Sequence, residues 1–310
     1  MEKLKISFGA RIICGVWRLL GLKPLRSHYR WAGFFTWVMR RVLHYREDIV
    51  MANLGRSFPD TPYETLQEIR DRFYRSLGEI AVESVWMAAC RGDKGRERFL
   101  RSGILSVKNP EVFNALRERS SSQIILSSHC GNWELVSTLP IITDDKGVGL
   151  DLPSDKYAIV YKSLNNKLWD DVFAYNRQAI AFDKPFDGYL ESARVLRYAV
   201  AHRRANHAYL FPMDQAPYGI AKSHYVGLFM NQRTWTMNGG PELATRLGHA
   251  VVYMRYRHPE RGKYWIEFVP ICEDASRMAP EEIIRRYYDL LEADIREEPW
   301  NYLWTHKRWK

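Results

Sequence analysis

The spacing of apolar positions changes character twice along the chain. From residue 6 to residue 46, apolar and aromatic side chains (Phe8, Ile12, Ile13, Trp17, Leu20, Trp31, Phe34, Phe35, Trp37, Val38) are interleaved with arginines at helical intervals. The turn Phe58-Pro-Asp-Thr-Pro62 follows, with Thr61 placed to cap a helix that opens at Pro62, and apolar positions then keep a helical period over 63–89 until the glycines at 92–95 break it. Beyond that point short apolar runs alternate with helix-period stretches. Strands are predicted at 123–127, 158–161, 208–211, 251–256 and 265–269. Helices are predicted at 110–119, 134–141, 165–178, 187–202 and 239–248, with a closing helix over 281–296. This alternation predicts an α/β fold: a mixed, largely parallel sheet covered by helices, with reactive groups at the carboxyl ends of its strands. The organisation expected is a helical, membrane-associating segment over 1–95, then an α/β domain over 96–310 that closes in a basic, Trp-rich tail.

Charge sharpens that division. The 310-residue chain carries a net charge of +10, and residues 1–46 hold ten Lys or Arg against a single acid, Glu2. The tail His306-Lys-Arg-Trp-Lys310 is basic as well. Such an excess asks for an anionic partner, whether nucleic acid, an anionic lipid surface or an acidic protein or substrate. Arginines on one helix face with Trp, Phe and Leu on another suit a membrane interface; packing of the same helix on its own domain is the alternative. The tryptophans Trp300, Trp304 and Trp309, beside His306, Lys307 and Arg308, invite the same pair of readings. The most apolar stretch, 6–22, is interrupted by Arg11 and Arg18 and falls short of the roughly 18 apolar residues that a spanning helix needs. No small-residue cleavage site follows it, so neither a cleaved signal nor a transmembrane span is expected. Cys14, Cys90, Cys130 and Cys272 lack the paired spacing of a zinc site or a disulfide scaffold, which points to a reducing, cytosol-facing location.

The chemistry concentrates in Ser127-Ser-His-Cys-Gly-Asn-Trp-Glu-Leu135. His129 falls where a predicted strand ends and Glu134 opens the next helix, with Gly131 permitting a tight backbone and Asn132 able to cap. A histidine backed by a carboxylate deprotonates a hydroxyl near neutral pH, because the carboxylate fixes the tautomer and stabilises the imidazolium. If that hydroxyl attacks a thioester directly, the protein needs no nucleophile of its own. Backbone N–H groups at Gly131 and Asn132 are candidates to hold the oxyanion. The plainer alternative is a His129 bonded to a backbone carbonyl and a Glu134 placed by the helix dipole. Cys130 is a poor nucleophile for His129, since neighbours on a turn point apart, and nothing supplies further ligands for a metal. No organic cofactor is implied.

Taken over most of its length, the chain resembles the late (secondary) lipid A acyltransferases of Gram-negative bacteria, within the glycerolipid and lysophospholipid acyltransferase superfamily. The resemblance rests on the segment at 49–59 ending Arg-Ser-Phe-Pro, on Phe73-Tyr74 and Glu83, and on His129-Cys-Gly-Asn-Trp-Glu134. It continues through Val160-Tyr-Lys-Ser-Leu-Asn-Asn-Lys-Leu-Trp-Asp170, Phe211-Pro-Met-Asp-Gln215, Gly227-Leu-Phe229 and Tyr302-Leu-Trp-Thr-His-Lys-Arg-Trp309. It implies His129 as general base with Glu134 as its partner, a fatty acyl thioester on acyl carrier protein as donor, and a 3-hydroxyacyl hydroxyl of a lipid A precursor as acceptor. It further implies a peripheral or monotopic place on the cytosolic face of the inner membrane. An acidic carrier, an anionic glycolipid and an anionic membrane surface together account for the basic excess without nucleic acid. Lys162 stands where the family usually has Arg, a point charge in place of a planar fork; with Asn166, Arg177, Asp214 and Gln215 it forms the set of candidate substrate contacts. Two other readings stay open: the same chemistry on another lipid acceptor (a lysophospholipid, glycolipid or aminolipid), and a membrane- or nucleic-acid-binding module without turnover.

Overall fold

The computed structural model describes residues 6–144, 146–178, 188–217, 219 and 223–309. The leading helical pattern resolves into α1 (Phe8–Gly21), α2 (Leu25–Trp37), α3 (Glu47–Ser57) and α4 (Tyr63–Met87), with a π-helical turn at Val38–Val42 closing α2. Pro62 itself occupies the N-cap of α4 and no side chain caps that end, so Thr61 does not fill the role expected of it. The fixed φ of proline orients the first turn instead.

The rest of the chain alternates as predicted. It runs α5 (Gly92–Ser102), β1 (Leu105–Val107), α6 (Pro110–Arg119), β2 (Gln123–Ser127), β3 (Tyr157–Tyr161), α7 (Lys167–Arg177), β4 (Tyr189–Glu191), α8 (Val195–Ala201) and β5 (Ala208–Pro212). The hairpin β6 (Ser223–Phe229) and β7 (Gln232–Met237) follows, then α9 (Gly239–Leu247), β8 (Ala250–Glu260), β9 (Lys263–Cys272) and α10 (Pro280–Glu297). One sheet has the order β1-β9-β8-β2-β5-β3-β4, parallel throughout except where β8 and β9 form an antiparallel pair. Its middle strand β2 is buried at every position, as a parallel strand covered on both faces must be. The β6–β7 hairpin forms a separate ribbon.

Two predicted helices differ. Residues 134–141 belong to a 3₁₀ run, Trp133–Ile141, because Pro140 lacks the N–H that an α-helix would need there. The helix predicted over 187–202, whose first residue lies outside the described residues, contains strand β4 followed by the short α8. A single buried cluster runs from Val50, Phe73 and Trp86 through Ile124, Ile125 and Leu126 to Tyr253, Leu291 and Trp304, so α3 and α4 share their core with the sheet.

Helices α1 and α2 pack the opposite way round from an ordinary surface helix. Their buried positions are Ala10, Cys14, Gly21, His28 and Ala32. A Cβ on Gly21 would lie 2.5 Å from the Val85 carbonyl, and one on Gly78 of α4 would lie 2.4 Å from Thr36 Oγ1. Small residues thus let these helices sit close to the body; Ile13, Trp17 and Leu25 pack inward beside them, while other large apolar side chains point away from it: Phe8 is 78% exposed, Leu19 71% and Trp31 57%. An apolar face packed inward would be the ordinary arrangement. No helix among the described residues is long and apolar enough to cross a membrane.

The tail follows the other reading. Trp304 is fully buried and donates from Nε1 to the Pro299 carbonyl, Trp309 donates to Thr234 Oγ1 at 2.8 Å, and Arg308 donates to the Tyr288 hydroxyl at 2.9 Å. Asn53 Nδ2 binds the carbonyls of Trp304 and His306, fastening the tail to α3. Of the two readings of this tail, the contacts of Trp304 and Trp309 support packing on the domain.

Candidate active site

Strand register builds the central pair. β2 and β5 are parallel neighbours with Ser127 opposite Pro212, so two residues further on His129 meets Asp214 across one interstrand step. His129 Nδ1 lies 2.8 Å from Asp214 Oδ1, and Asp214 is buried. Burial alone would raise the Asp214 carboxyl, but the neighbouring His129 and the hydrogen bond from it leave it below the ordinary aspartate value. The ionised acceptor requires a proton on Nδ1, which leaves the lone pair on Nε2. That nitrogen is 3.1 Å from Gln215 Nε2, whose amide donates to it. The Trp133 ring packs edge-on against His129 at 5.4 Å between centroids.

Glu134 does something else. Both of its oxygens are taken by Arg177 from the last turn of α7, at 2.7 Å to Nε and 2.8 Å to Nη2. This bidentate pair is charge-assisted and geometrically specific. Burial opposes ionisation of Glu134, yet the charge and hydrogen bonds of Arg177 outweigh it and hold the carboxyl below its ordinary value. The expected partnership of Glu134 with His129 is thus corrected: Asp214 takes Nδ1, and Glu134 fixes a guanidinium.

Gly131 and Asn132 lie behind the turn. Gly131 has φ +60°, and a Cβ there would stand 2.3 Å from the Tyr256 ring, so only glycine fits. Its N–H donates to the Asn301 carbonyl at 3.0 Å. Asn132 is fully buried; its Nδ2 donates to Glu83 Oε2 at 2.8 Å, its Oδ1 accepts the Glu134 N–H, and its carbonyl accepts the Tyr256 hydroxyl. Neither residue is among those lining the cavity, so the expected oxyanion role gives way to support of the turn. Glu83, on α4, is the polar centre of that support. It also accepts from the hydroxyls of Tyr29 at 2.8 Å and Tyr264 at 3.0 Å, and complete burial pushes its carboxyl up to about 7 even against these donors. Cys130 is buried beside them, with its thiol driven well above the ordinary value by burial.

A cavity of about 490 Å³ opens at the carboxyl ends of β2, β3 and β5. His129, Glu134, Lys162, Arg177 and Gln215 supply its polar lining, and Val136, Ile159, Leu210, Phe211 and Met237 an apolar wall. That combination of an apolar wall and a few convergent polar groups is typical of a ligand site. Asn166 is not part of it. Its Oδ1 accepts the N–H groups of Leu168 and Trp169 and caps α7, which corrects the expected substrate contact to a helix cap. Among the described residues no three or more His, Cys, Asp or Glu side chains are grouped to hold a metal ion.

Set beside known proteins, the chain matches the sequence profile of the family described as bacterial lipid A biosynthesis acyltransferase over residues 3–310. No curated protein matches it.

Proposed function

The chain belongs to the bacterial lipid A biosynthesis acyltransferase family, and on that premise we propose that it moves a fatty acyl group from an acyl-carrier-protein thioester to the hydroxyl of a 3-hydroxyacyl chain on a lipid A precursor. The observation that carries the reading is the His129 imidazole, fixed at Nδ1 by Asp214 and presenting Nε2 to a cavity with an apolar wall. The acceptor hydroxyl displaces the Gln215 amide from Nε2 and gives up its proton there as the oxygen attacks the thioester carbonyl. Asp214 stabilises the imidazolium that forms. As the C–S bond breaks, His129 returns the proton to the departing thiolate. Arg177, braced by Glu134, and Lys162 supply positive charge to the developing oxyanion or to phosphate oxygens of the acceptor. The net charge of +10 suits both an acidic carrier and an anionic glycolipid.

In the same reading the leading segment, residues 1–95, associates with the inner membrane and this site works at its cytosolic face. The outward aromatic and aliphatic side chains of α1 and α2 enter the lipid boundary, and the arginines among them meet phosphate.

Purified protein supplied with acyl-carrier-protein thioesters and a tetra-acylated lipid A precursor, read by mass spectrometry, tests the assignment. One added acyl chain is expected, and His129→Ala should lose roughly 10²–10⁴-fold in rate while keeping its fold. Near-normal turnover by that variant would remove the proposed base. Consumption of thioester with no gain of mass on the precursor would remove the acceptor.

A further inference from the structure

A second cleft, of about 350 Å³, lies between the end of α2 and α4, and the turn joining β8 to β9 closes it. Arg40, Arg41, Arg75 and Arg261 line it, against two carboxylates, Asp71 and Glu79. Arg40 Nη2 pairs with Asp71 at 2.9 Å and Arg261 Nε with Glu79 at 2.6 Å. Asp71 is shared further with Arg70, at 2.8 Å. Among the described residues Arg41 has no ion pair, and Arg75 makes only a long contact of 3.4 Å to a backbone oxygen. Arg40 Nε is buried in this wall with no hydrogen-bond partner. The cleft therefore holds more guanidinium than its own carboxylates neutralise, and it contains a donor that nothing among the described residues satisfies.

What adjoins it selects the ligand. Trp37, 54% exposed, lines the same cleft and stacks on Phe34 at 6.0 Å between centroids; Phe34 in turn contacts Trp31 and Phe35. An inorganic anion needs the arginines but has no use for the aromatic row. A docked acidic protein would be served by a flat basic patch and would leave the recessed Arg40 Nε untouched. We propose that this cleft binds the phosphate of an anionic phospholipid, with guanidinium forks on the phosphate oxygens and the acyl chains lying along Trp37, Phe34 and Trp31. The site rests on the membrane-facing reading of α1 and α2 and gives it a specific headgroup contact, separate from the cavity at His129.

The test uses the full-length protein and Arg41→Gln/Arg75→Gln, which removes two exposed side chains without breaking an ion pair. Arg203→Gln/Arg204→Gln, in the exposed turn that follows α8, is the charge-matched control. Short-chain phosphatidylglycerol in solution, inorganic phosphate, and vesicles of phosphatidylcholine with or without phosphatidylglycerol are the probes. Each basic group near an anionic headgroup is worth about fivefold in binding, so the cleft variant should bind phosphatidylglycerol vesicles roughly 30-fold more weakly. The control should change by less than about twofold, and phosphatidylcholine vesicles should not distinguish the three proteins. Short-chain phosphatidylglycerol should raise the melting temperature of the wild type and not of the cleft variant. Absence of that protection, equal losses in the cleft variant and the control, or an equal effect of inorganic phosphate would each overturn the lipid site. A cleft variant that instead loses affinity for acyl carrier protein would also overturn it, in favour of protein docking. If the wild type floats with no vesicle yet is protected by the short-chain lipid, the membrane-facing reading falls while the headgroup site stands.

Discussion

Glu83→Gln isolates the polar centre behind the His129 turn. Glu83 is fully buried, and its carboxyl is raised from an ordinary value of 4.5 to about 7. A raised carboxyl means that the folded protein holds the proton more tightly than the unfolded chain does. The stabilisation from this group is then complete below about pH 4.5 and is lost as pH rises through about 7. The difference of about 2.5 pH units corresponds to roughly 3 kcal/mol, and complete burial leaves no solvent screening to discount. Between about pH 5 and pH 8 the wild type should lose about 2.5 kcal/mol from this source. Glutamine stays neutral throughout, so urea unfolding of both proteins at the two pH values should show the wild type falling more steeply by that amount. Other titrating groups, including His258 and Asp294, are common to both proteins and cancel in the comparison. Parallel pH dependences would refute the argument. They would show that the hydroxyls of Tyr29 and Tyr264 and the Asn132 amide satisfy an ionised carboxylate as well as a neutral one.

Asp214→Asn should keep the fold and lower turnover by up to about 10⁴-fold, because an amide that donates to His129 Nδ1 imposes the wrong tautomer; steady-state rates beside a melting curve check it, and a drop of only a fewfold would show that Asp214 merely packs. Arg177→Met leaves Glu134 as a buried carboxylate without its bidentate partner, which should cost about 3–5 kcal/mol by chemical denaturation; an unchanged midpoint would mean that solvent reaches the pair. Asn166→Ala should cost about 1 kcal/mol through the lost cap on α7 and leave the KM for both substrates unchanged; a raised KM would return Asn166 to the substrate contacts.

The sheet was legible because β2, β3, β5, β8 and β9 are rich in the apolar residues that a covered strand requires. β1, β4, β6 and β7 were not. β4 is three residues long, and β7, Gln232-Arg-Thr-Trp-Thr-Met237, carries only two apolar residues, both on one side of the alternation. At the site, the spacing of His129 and Glu134 drew attention to this turn, but the carboxylate bonded to His129 is Asp214. Proximity in sequence favours a carboxylate five residues on, whereas Asp214 reaches His129 through strand register, 85 positions away. The signal that could have found it was Phe211-Pro-Met-Asp-Gln215 at the end of a second predicted strand. Pairing that strand with β2 brings Asp214 alongside. Gly131 was legible as a tight turn, but the Tyr256 ring that demands glycine there comes from β8 and leaves no trace nearby.

The division of labour between the two carboxylates follows from where each is anchored. A general base has to hold one tautomer and one orientation through the reaction, and a partner at the end of β5, hydrogen-bonded to β2 in the middle of the sheet, moves least relative to His129. Glu134 sits instead in a 3₁₀ run containing a proline, a weaker frame, and a two-point contact to Arg177 compensates for it. That choice ties the cavity to the leading helices. Arg177 ends α7, the helix on which α1 packs through Ala10 and Cys14, with Ile6 just before it, against the fully buried Val172, and Asp171 of α7 accepts the N–H of Ser7 at 2.9 Å. Arg177 and the proposed lipid-facing helix are therefore set by one element. On this reading α7 fixes the height of Arg177 relative to the membrane surface, where an acceptor held in the bilayer would present its phosphates and hydroxyls to His129.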